Sequence, residues 1–151
     1  MPDKKETLKF VAEKLNGIQL RWALIGSANL SLQGMDVVPN DVDILVDFLD
    51  KKKVGDLFLE EKKISDSKLK NGEGEENTYL IEGVEVQFCF EYSHGFYFQF
   101  FENDRFEKIK LESVEIPCNR LEDEALAYEY LGRKEKAESI KEFLKNQKSH
   151  E

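Results

Sequence analysis

The stretch that decides the fold is residues 26–47, GSANLSLQGMDVVPNDVDILVD. Gly26-Ser27 closes the apolar run 20–25, LRWALI, and a short apolar run ending at glycine reads as a buried strand. Residues 27–33 read as a short helix that ends at Gly34. In 41–48, DVDILVDF, the alternation of Asp, Val, Asp and Ile has period two, which predicts a second strand. Asp41 and Asp43 then share one face, and Val42 and Ile44 anchor the other in the core. Glycine lets the backbone come close to a ligand. A serine hydroxyl with the free amides of a first helical turn suits an anionic oxygen. Two carboxylates on one strand face repel unless a cation lies between them. Hard oxygen ligands suit Mg²⁺, which takes one or two carboxylates and fills its shell with water and phosphate oxygens. Each half also has a plainer reading. Strand-Gly-Ser-helix occurs as simple chain reversal, and Asp-x-Asp can be an edge strand facing water, although Asp is a poor strand former.

Working outward, 3–16 reads as an amphipathic helix with Asp3 and Glu6 as a capping box and Leu8, Val11, Ala12 and Leu15 as its apolar stripe. Asp50 is expected to cap a helix running to about Glu61. The polar stretch 65–77, SDSKLKNGEGEEN, reads as an exposed loop. Residues 78–92, TYLIEGVEVQFCFEY, read as a hairpin turning at Glu82-Gly83. Two further strands are expected at 95–101, GFYFQFF, and at 113–118, SVEIPC, the latter ended by Pro117. The tail reads as two helices broken near Gly132, with Asn119 and Glu122 as a capping signal. The predicted class is α+β: a small mixed sheet with helices packed on it and a C-terminal helical segment, as one domain over 1–151.

A formal charge of −9 disfavours a generic nucleic-acid binder, which needs a basic surface, but leaves room for a local basic pocket. No run is long and apolar enough for a membrane span, and the N-terminus lacks the pattern of a signal peptide, so a cytoplasmic location is expected. Cys89 and Cys118 have no metal-binding spacing and lie in apolar segments, which favours buried free thiols over a disulfide.

Taken together, the apolar strand, Gly26-Ser27, the short helix and Asp41-x-Asp43 in an apolar strand resemble the nucleotidyltransferase superfamily of the DNA polymerase β type. They are most similar to its small standalone members, which share a core with antibiotic nucleotidyltransferases. The resemblance extends to 114–144, with its closing strand, helix and a helix start at Gly132-Arg133-Lys134. It implies that Gly26 and Ser27 touch a nucleoside triphosphate and that Asp41 and Asp43 bind Mg²⁺ or Mn²⁺. The implied reaction moves a nucleoside monophosphate to the hydroxyl of an acceptor, a small molecule or a protein, and releases pyrophosphate. The alternative is a member that has lost catalysis and works as a nucleotide-binding or antitoxin-like protein-interaction module. A third reading is a structural domain with no ligand.

Two departures from the family pattern stand out. A third acid is usual on a later strand. Here Glu85 satisfies a hydrophobic-acid-hydrophobic triplet, but counting from Gly83 the acidic position falls on Gln87. Glu85, Gln87, Cys89 and Glu91 share a face, so register decides between them. If Gln87 holds the position, the usual base is missing, since an amide takes no proton at neutral pH. The second departure is Asn40, preceded by Pro39, where Ser or Thr is common before Asp-x-Asp.

Other residues have plainer roles. His94 reads as a turn residue and His150 as part of a frayed tail. Lys51-Lys52-Lys53 reads as a solvated helix start, and the Phe-rich 96–106 as core or a dimer face, so that a homodimer is conceivable. Arg133 and Lys134 open the last helix, with surface ion pairs as the default and a phosphate across a cleft as the alternative.

Overall fold

The computed structural model of the protein describes residues 4–149. β1 (Trp22–Ile25) and β2 (Val42–Asp47) run antiparallel, with Leu24 opposite Ile44 and Ile25 opposite Asp43. On its other side β2 runs parallel to β5 (Val84–Glu91), which sets Gln87 beside Asp43. The remaining strands are β3 (Lys62–Lys68), β4 (Gly74–Ile81), β6 (Glu107–Leu111) and β7 (Val114–Cys118). Together they form one seven-stranded sheet in the order β3-β4-β5-β2-β1-β7-β6. The helices are α1 (Lys5–Asn16), α2 (Gly26–Leu32), α3 (Lys51–Leu57), α4 (Phe98–Glu102), α5 (Leu121–Tyr130) and α6 (Lys134–Ser149). The class is therefore α+β with a mixed sheet, as the sequence predicts.

β2 is central, so the edge-strand reading of Asp-x-Asp does not hold. Its alternation divides the protein into two layers. Val42, Ile44 and Val46 join Leu24, Val86, Phe88, Phe90 and Ile116 on one face, beneath α1 and α3. The buried residues of α1 include the predicted stripe Leu8, Val11, Ala12 and Leu15. Its predicted cap, Asp3, lies outside the described residues, as does His150. On the other face, Leu45 and Ile25 are covered by Phe98 and Phe101 of α4. Asp43, one pair further along, is the polar end of that face.

The hairpin turns as predicted. Ile81 pairs with Val84, and Glu82 and Gly83 both have positive φ, 52° and 80°, the signature of a two-residue type I′ turn. Several elements differ from the sequence reading. The expected strand 95–101 is instead a turn leading into α4, where Phe98 and Phe101, three apart, bury together over Ile25 and Leu45. The expected loop 65–77 contains most of edge strand β3 and the start of β4. β3 is almost wholly exposed, so it carries no apolar alternation to reveal it. β6 is a second edge strand that the sequence reading misses, although Ile109 and Leu111 alternate with Lys108 and Lys110 and pack on the core. β7 runs through Pro117 to Cys118; its pairing with β1 is registered at Cys118, beyond the proline.

Cap assignments also change. Asp50 precedes α3 but makes no cap bond, and α3 stops at Leu57, short of Glu61. Asp47 instead accepts from the Leu49 N–H at 3.0 Å, opening a 3₁₀ turn over Phe48–Asp50. Arg120 is the N-cap of α5, while Asn119 is fully buried and committed elsewhere. Lys51 is not simply solvated, since it pairs with Glu75 at 2.6 Å. Cys118 is buried, Cys89 is half-buried, and both are free thiols.

Ile44 is wholly buried at the middle of β2. Ile44→Ala is expected to cost about 3 kcal/mol of stability through lost burial and a residual cavity, measured by urea unfolding.

Candidate active site

The end of β1 and the start of β2 meet in the sheet, and this brings the two parts of the 26–47 stretch together. The chain leaves Ile25, which is paired with Asp43, and turns at once through Gly26 into α2. Gly26 has φ +74°, and a Cβ built on it would lie 2.6 Å from Asp43 Oδ2. Two separate reasons therefore demand glycine here: the left-handed backbone and the carboxylate pressed against it. Ser27 follows, half-buried, in the first turn of α2. Asp41 lies just before β2 rather than within it. It is still close enough to act on Asp43. Burial pushes the Asp43 carboxyl up to about 7, and the charges of Asp41 and then Glu76 push the same way. Asp43 Oδ1 is buried with no hydrogen-bond partner.

Gln87, and not Glu85, is the residue registered beside Asp43. Glu85 points to the same face one pair further out, is exposed, and lies opposite Leu80 of β4. The carboxylate that joins the pair electrostatically is Glu76 of β4, a residue the sequence reading placed in a loop. It accepts from the Gln87 amide and from the hydroxyls of Ser65 at 3.4 Å and Ser67 at 3.1 Å. A strand assignment starting at Gly74 would have exposed it, since Glu76 and Thr78 then share the face of Gln87. Among the described residues, no group of three His, Cys, Asp or Glu converges tightly enough to hold a metal ion by itself.

The opposite wall comes from the C-terminal helices. Positive charges on Lys136 and Arg133 oppose the rise at Asp43, so both side chains lie within electrostatic reach of it. Each cation sits over the Tyr128 ring, Arg133 at 5.4 Å and Lys136 at 5.5 Å from its centroid. The default of surface ion pairs thus does not describe Arg133. Lys134, also considered from sequence, is exposed beside it, and Lys136 is the partner the sequence reading missed. Arg133 lies just before α6 and Lys136 in its first turn, so both cations cluster at the start of that helix.

Beneath the Gly26 turn lies a buried polar network. Glu124 of α5 is 1% exposed. It accepts from Asn29 Nδ2 and Asn119 Nδ2, both at 3.2 Å, and the Gly26 backbone lies close enough to oppose the rise of its pKa. Asn29 Nδ2 also donates to the Asn119 carbonyl at 2.8 Å, and Gln33 Nε2 donates to that carbonyl and to Asn29 Oδ1. Burial pushes Glu124 up to about 8 despite these donors.

No protein-family profile matches the sequence, and no curated protein matches it. Solved structures do. A candidate nucleotidyltransferase from Thermotoga maritima, TM1012, superimposes with a TM-score of 0.70 at 24% identity, covering 96% of this chain and 94% of that one. The antibiotic-resistance factor ANT(2'')-Ia gives 0.60 at 12% identity, over 93% of this chain and 85% of its own. An antigenic nucleotidyltransferase-like protein from Paracoccidioides brasiliensis gives 0.56 at 13% identity, over 93% and 73%. The chain has the nucleotidyltransferase-like fold. No helix among the described residues is long and apolar enough to cross a membrane.

The buried carboxyls make stability depend on pH. Burial raises Glu91 from 4.5 to about 7, with the Tyr97 N–H opposing and Glu73 adding, and Glu124 is raised from 4.5 to about 8. Between those values the folded chain holds protons that the unfolded chain has released. The two groups therefore impose no penalty below about 4.5 and their full penalty above about 8. The thermal midpoint is expected to fall between pH 5 and pH 8, by about 3 °C per kcal/mol lost. Glu91→Gln should flatten that fall; an unchanged slope in calorimetric scans would contradict the assignment.

Proposed function

We propose that the protein is a nucleotidyltransferase. It moves a nucleoside monophosphate from a metal-bound nucleoside triphosphate to the hydroxyl of an acceptor and releases pyrophosphate. The observation that carries this reading is the seating of the Gly26-Ser27 turn against Asp43, with Asp41 beside it, in a fold shared with nucleotidyltransferases. The structure supports the metal by its donor set: two adjacent carboxylates, one with a buried and unpartnered oxygen, are hard ligands short of a counter-charge. Asp41 and Asp43 would hold Mg²⁺ or Mn²⁺, leaving the other positions to water and phosphate oxygens. When bound, the ion supplies positive charge against the attacking and leaving oxygens.

The chain's own residues do the positioning. Gly26 admits the triphosphate close to the backbone, and the Ser27 hydroxyl donates to a phosphate oxygen. Arg133 and Lys136, facing the aspartates, take the remaining phosphate charge. The acceptor oxygen attacks the α-phosphorus in line as the bond to the β-phosphate oxygen breaks, and pyrophosphate leaves. The acceptor's proton goes to a carboxylate on the β4–β5 side. Glu76 is the assignment there, ahead of Glu85, because it is the one whose charge Asp43 senses. Gln87 beside Asp43 favours a second reading, in which the same site binds nucleotide without transferring it and the protein serves as an interaction module.

Calorimetric titration of ATP, GTP, CTP and UTP, with and without Mg²⁺, tests the assignment. Mg²⁺-dependent binding is expected in the wild type and is expected to vanish in Asp41→Asn/Asp43→Asn. Arg133→Ala/Lys136→Ala should weaken it about tenfold or more, the scale of a lost charge-assisted contact. Binding that persists in the double aspartate variant would sink the metal assignment. Pyrophosphate release from Mg-NTP, measured across a panel of hydroxylated acceptors, separates the two carboxylates. Glu76→Gln is expected to lower it about 100-fold, the scale of a lost general base, and Glu85→Gln to leave it within about twofold. The reverse order would return the role to Glu85. Nucleotide binding with no release from any variant is the signature of the second reading.

A further inference from the structure

We propose that Glu124 is the positioning residue of the nucleotide site: its buried carboxyl fixes the Gly26-Ser27 turn onto α5, the helix whose Tyr128 carries the Arg133–Lys136 arm. The inference rests on the nucleotidyltransferase reading for its consequence, but not for its geometry.

Glu124 touches no substrate in that reading, yet it is fully buried, and a buried carboxylate needs a reason. Its two hydrogen-bond donors come from separate parts of the chain, the Asn29 amide from α2 and the Asn119 amide after β7, and the Gly26 backbone at the turn lies beside it. The Asn119 N–H donates in turn to the Leu24 carbonyl at 3.1 Å, so the same cluster grips the end of β1. Gln33 closes it from the far end of α2. All these bonds converge on the segment 24–33 that delivers Gly26 and Ser27. The turn therefore has its position set from below by Glu124 and from the side by Asp43.

The second half of the argument runs along α5. Tyr128 lies one helical turn beyond Glu124, on the same side. Its ring carries both cations, and its carbonyl accepts the Arg133 N–H at 2.7 Å across the Gly132 break. One rigid helix thus connects the buried carboxyl to the cationic arm. The proposed triphosphate would touch Gly26 and Ser27 from α2 and Arg133 and Lys136 at the start of α6. These two sets of contacts are remote in sequence and share no direct bond. Glu124 and α5 hold them at a constant separation, the preorganisation that a polyanion bound at several points requires.

The test uses the full chain and two variants. Glu124→Gln keeps the volume but puts an amide donor against the Asn29 and Asn119 donors, beside Gly26. Gln33→Ala removes two bonds from the half-buried rim and is the variant of choice if Glu124→Gln does not fold. Folding is checked by circular dichroism and thermal melting. Mg-ATP, Mg-GTP, Mg-CTP and Mg-UTP affinities are read by calorimetry, and exchange of the Gly26 and Ser27 amides by NMR. Glu124→Gln is expected to weaken binding at least tenfold and to speed exchange at Gly26. Gln33→Ala should do the same about threefold, while amides of α1, packed on the opposite face of the sheet, keep their protection. Unchanged affinity in a folded Glu124→Gln, or in Gln33→Ala where that variant stands in, overturns the positioning role. If the wild type binds no nucleotide, the nucleotidyltransferase reading fails on its own. Amide exchange then decides the clamp, and unchanged exchange at Gly26 overturns it.

Discussion

The contact on which the site depends is the approach of Gly26 to the Asp43 carboxylate. Strand pairing creates it. Ile25 is registered with Asp43, so the residue that follows Ile25 must turn beside that side chain. Any side chain at 26 would meet Asp43 Oδ2 at 2.6 Å, and any L-residue would be strained at φ +74°. The turn, the helix that follows and the start of β2 are therefore one unit. A shift of β2 by one residue would send Asp43 into the apolar layer now occupied by Val42 and Ile44. The hydrophobic pattern of β2 is thus what aims the carboxylate.

For a chain of net charge −9, the proposed triphosphate site needs local rather than global electrostatics. The fold supplies it by segregation. The carboxylates Asp41, Asp43 and Glu76 come from the β2–β4 side, and Arg133 and Lys136 from the start of α6. Both cations rest on an aromatic face rather than in ion pairs, which leaves their N–H donors available. Some buried carboxylates elsewhere are neutralised in place, as where Asp47 meets Arg21 at 2.7 Å and Asp123 takes a two-point contact from Arg105.

The sequence carries these features unevenly. β1, α2, β2 and the Glu82-Gly83 hairpin are legible because each combines a clear period with a glycine that the backbone needs. Edge strand β3 is not, since a strand with solvent on most sides shows no alternation, whereas the short alternation of β6, Lys108-Ile109-Lys110-Leu111, is simply passed over. The aromatic segment before α4 misleads because Phe and Tyr favour strands locally, while burial over Leu45 and Ile25 selects a helical turn. Glu76 was hidden for the first of these reasons: it sits where β4 crosses from the edge region towards the site. Glu124 was hidden for another. A glutamate in an acidic helix start reads as surface, and only the burial of α5 against α2 shows that its partners are amides.

Gln87 takes its meaning from this arrangement. A carboxylate there would stand one strand spacing, about 5 Å, from Asp43. At an effective dielectric constant of about 20 it would add roughly 3 kcal/mol of repulsion, against about 1.7 at twice the distance. The first figure is worth about two pKa units, on a carboxyl that burial and its neighbours already hold at about 7. With no cation between them, that repulsion would favour the protonated form of Asp43 still further. Placing the third carboxylate on β4 and an amide between it and Asp43 keeps negative charge within reach while lowering that repulsion. On this argument the glutamine is compatible with the proposed site, with Glu76 of the neighbouring strand as the carboxylate whose charge reaches Asp43.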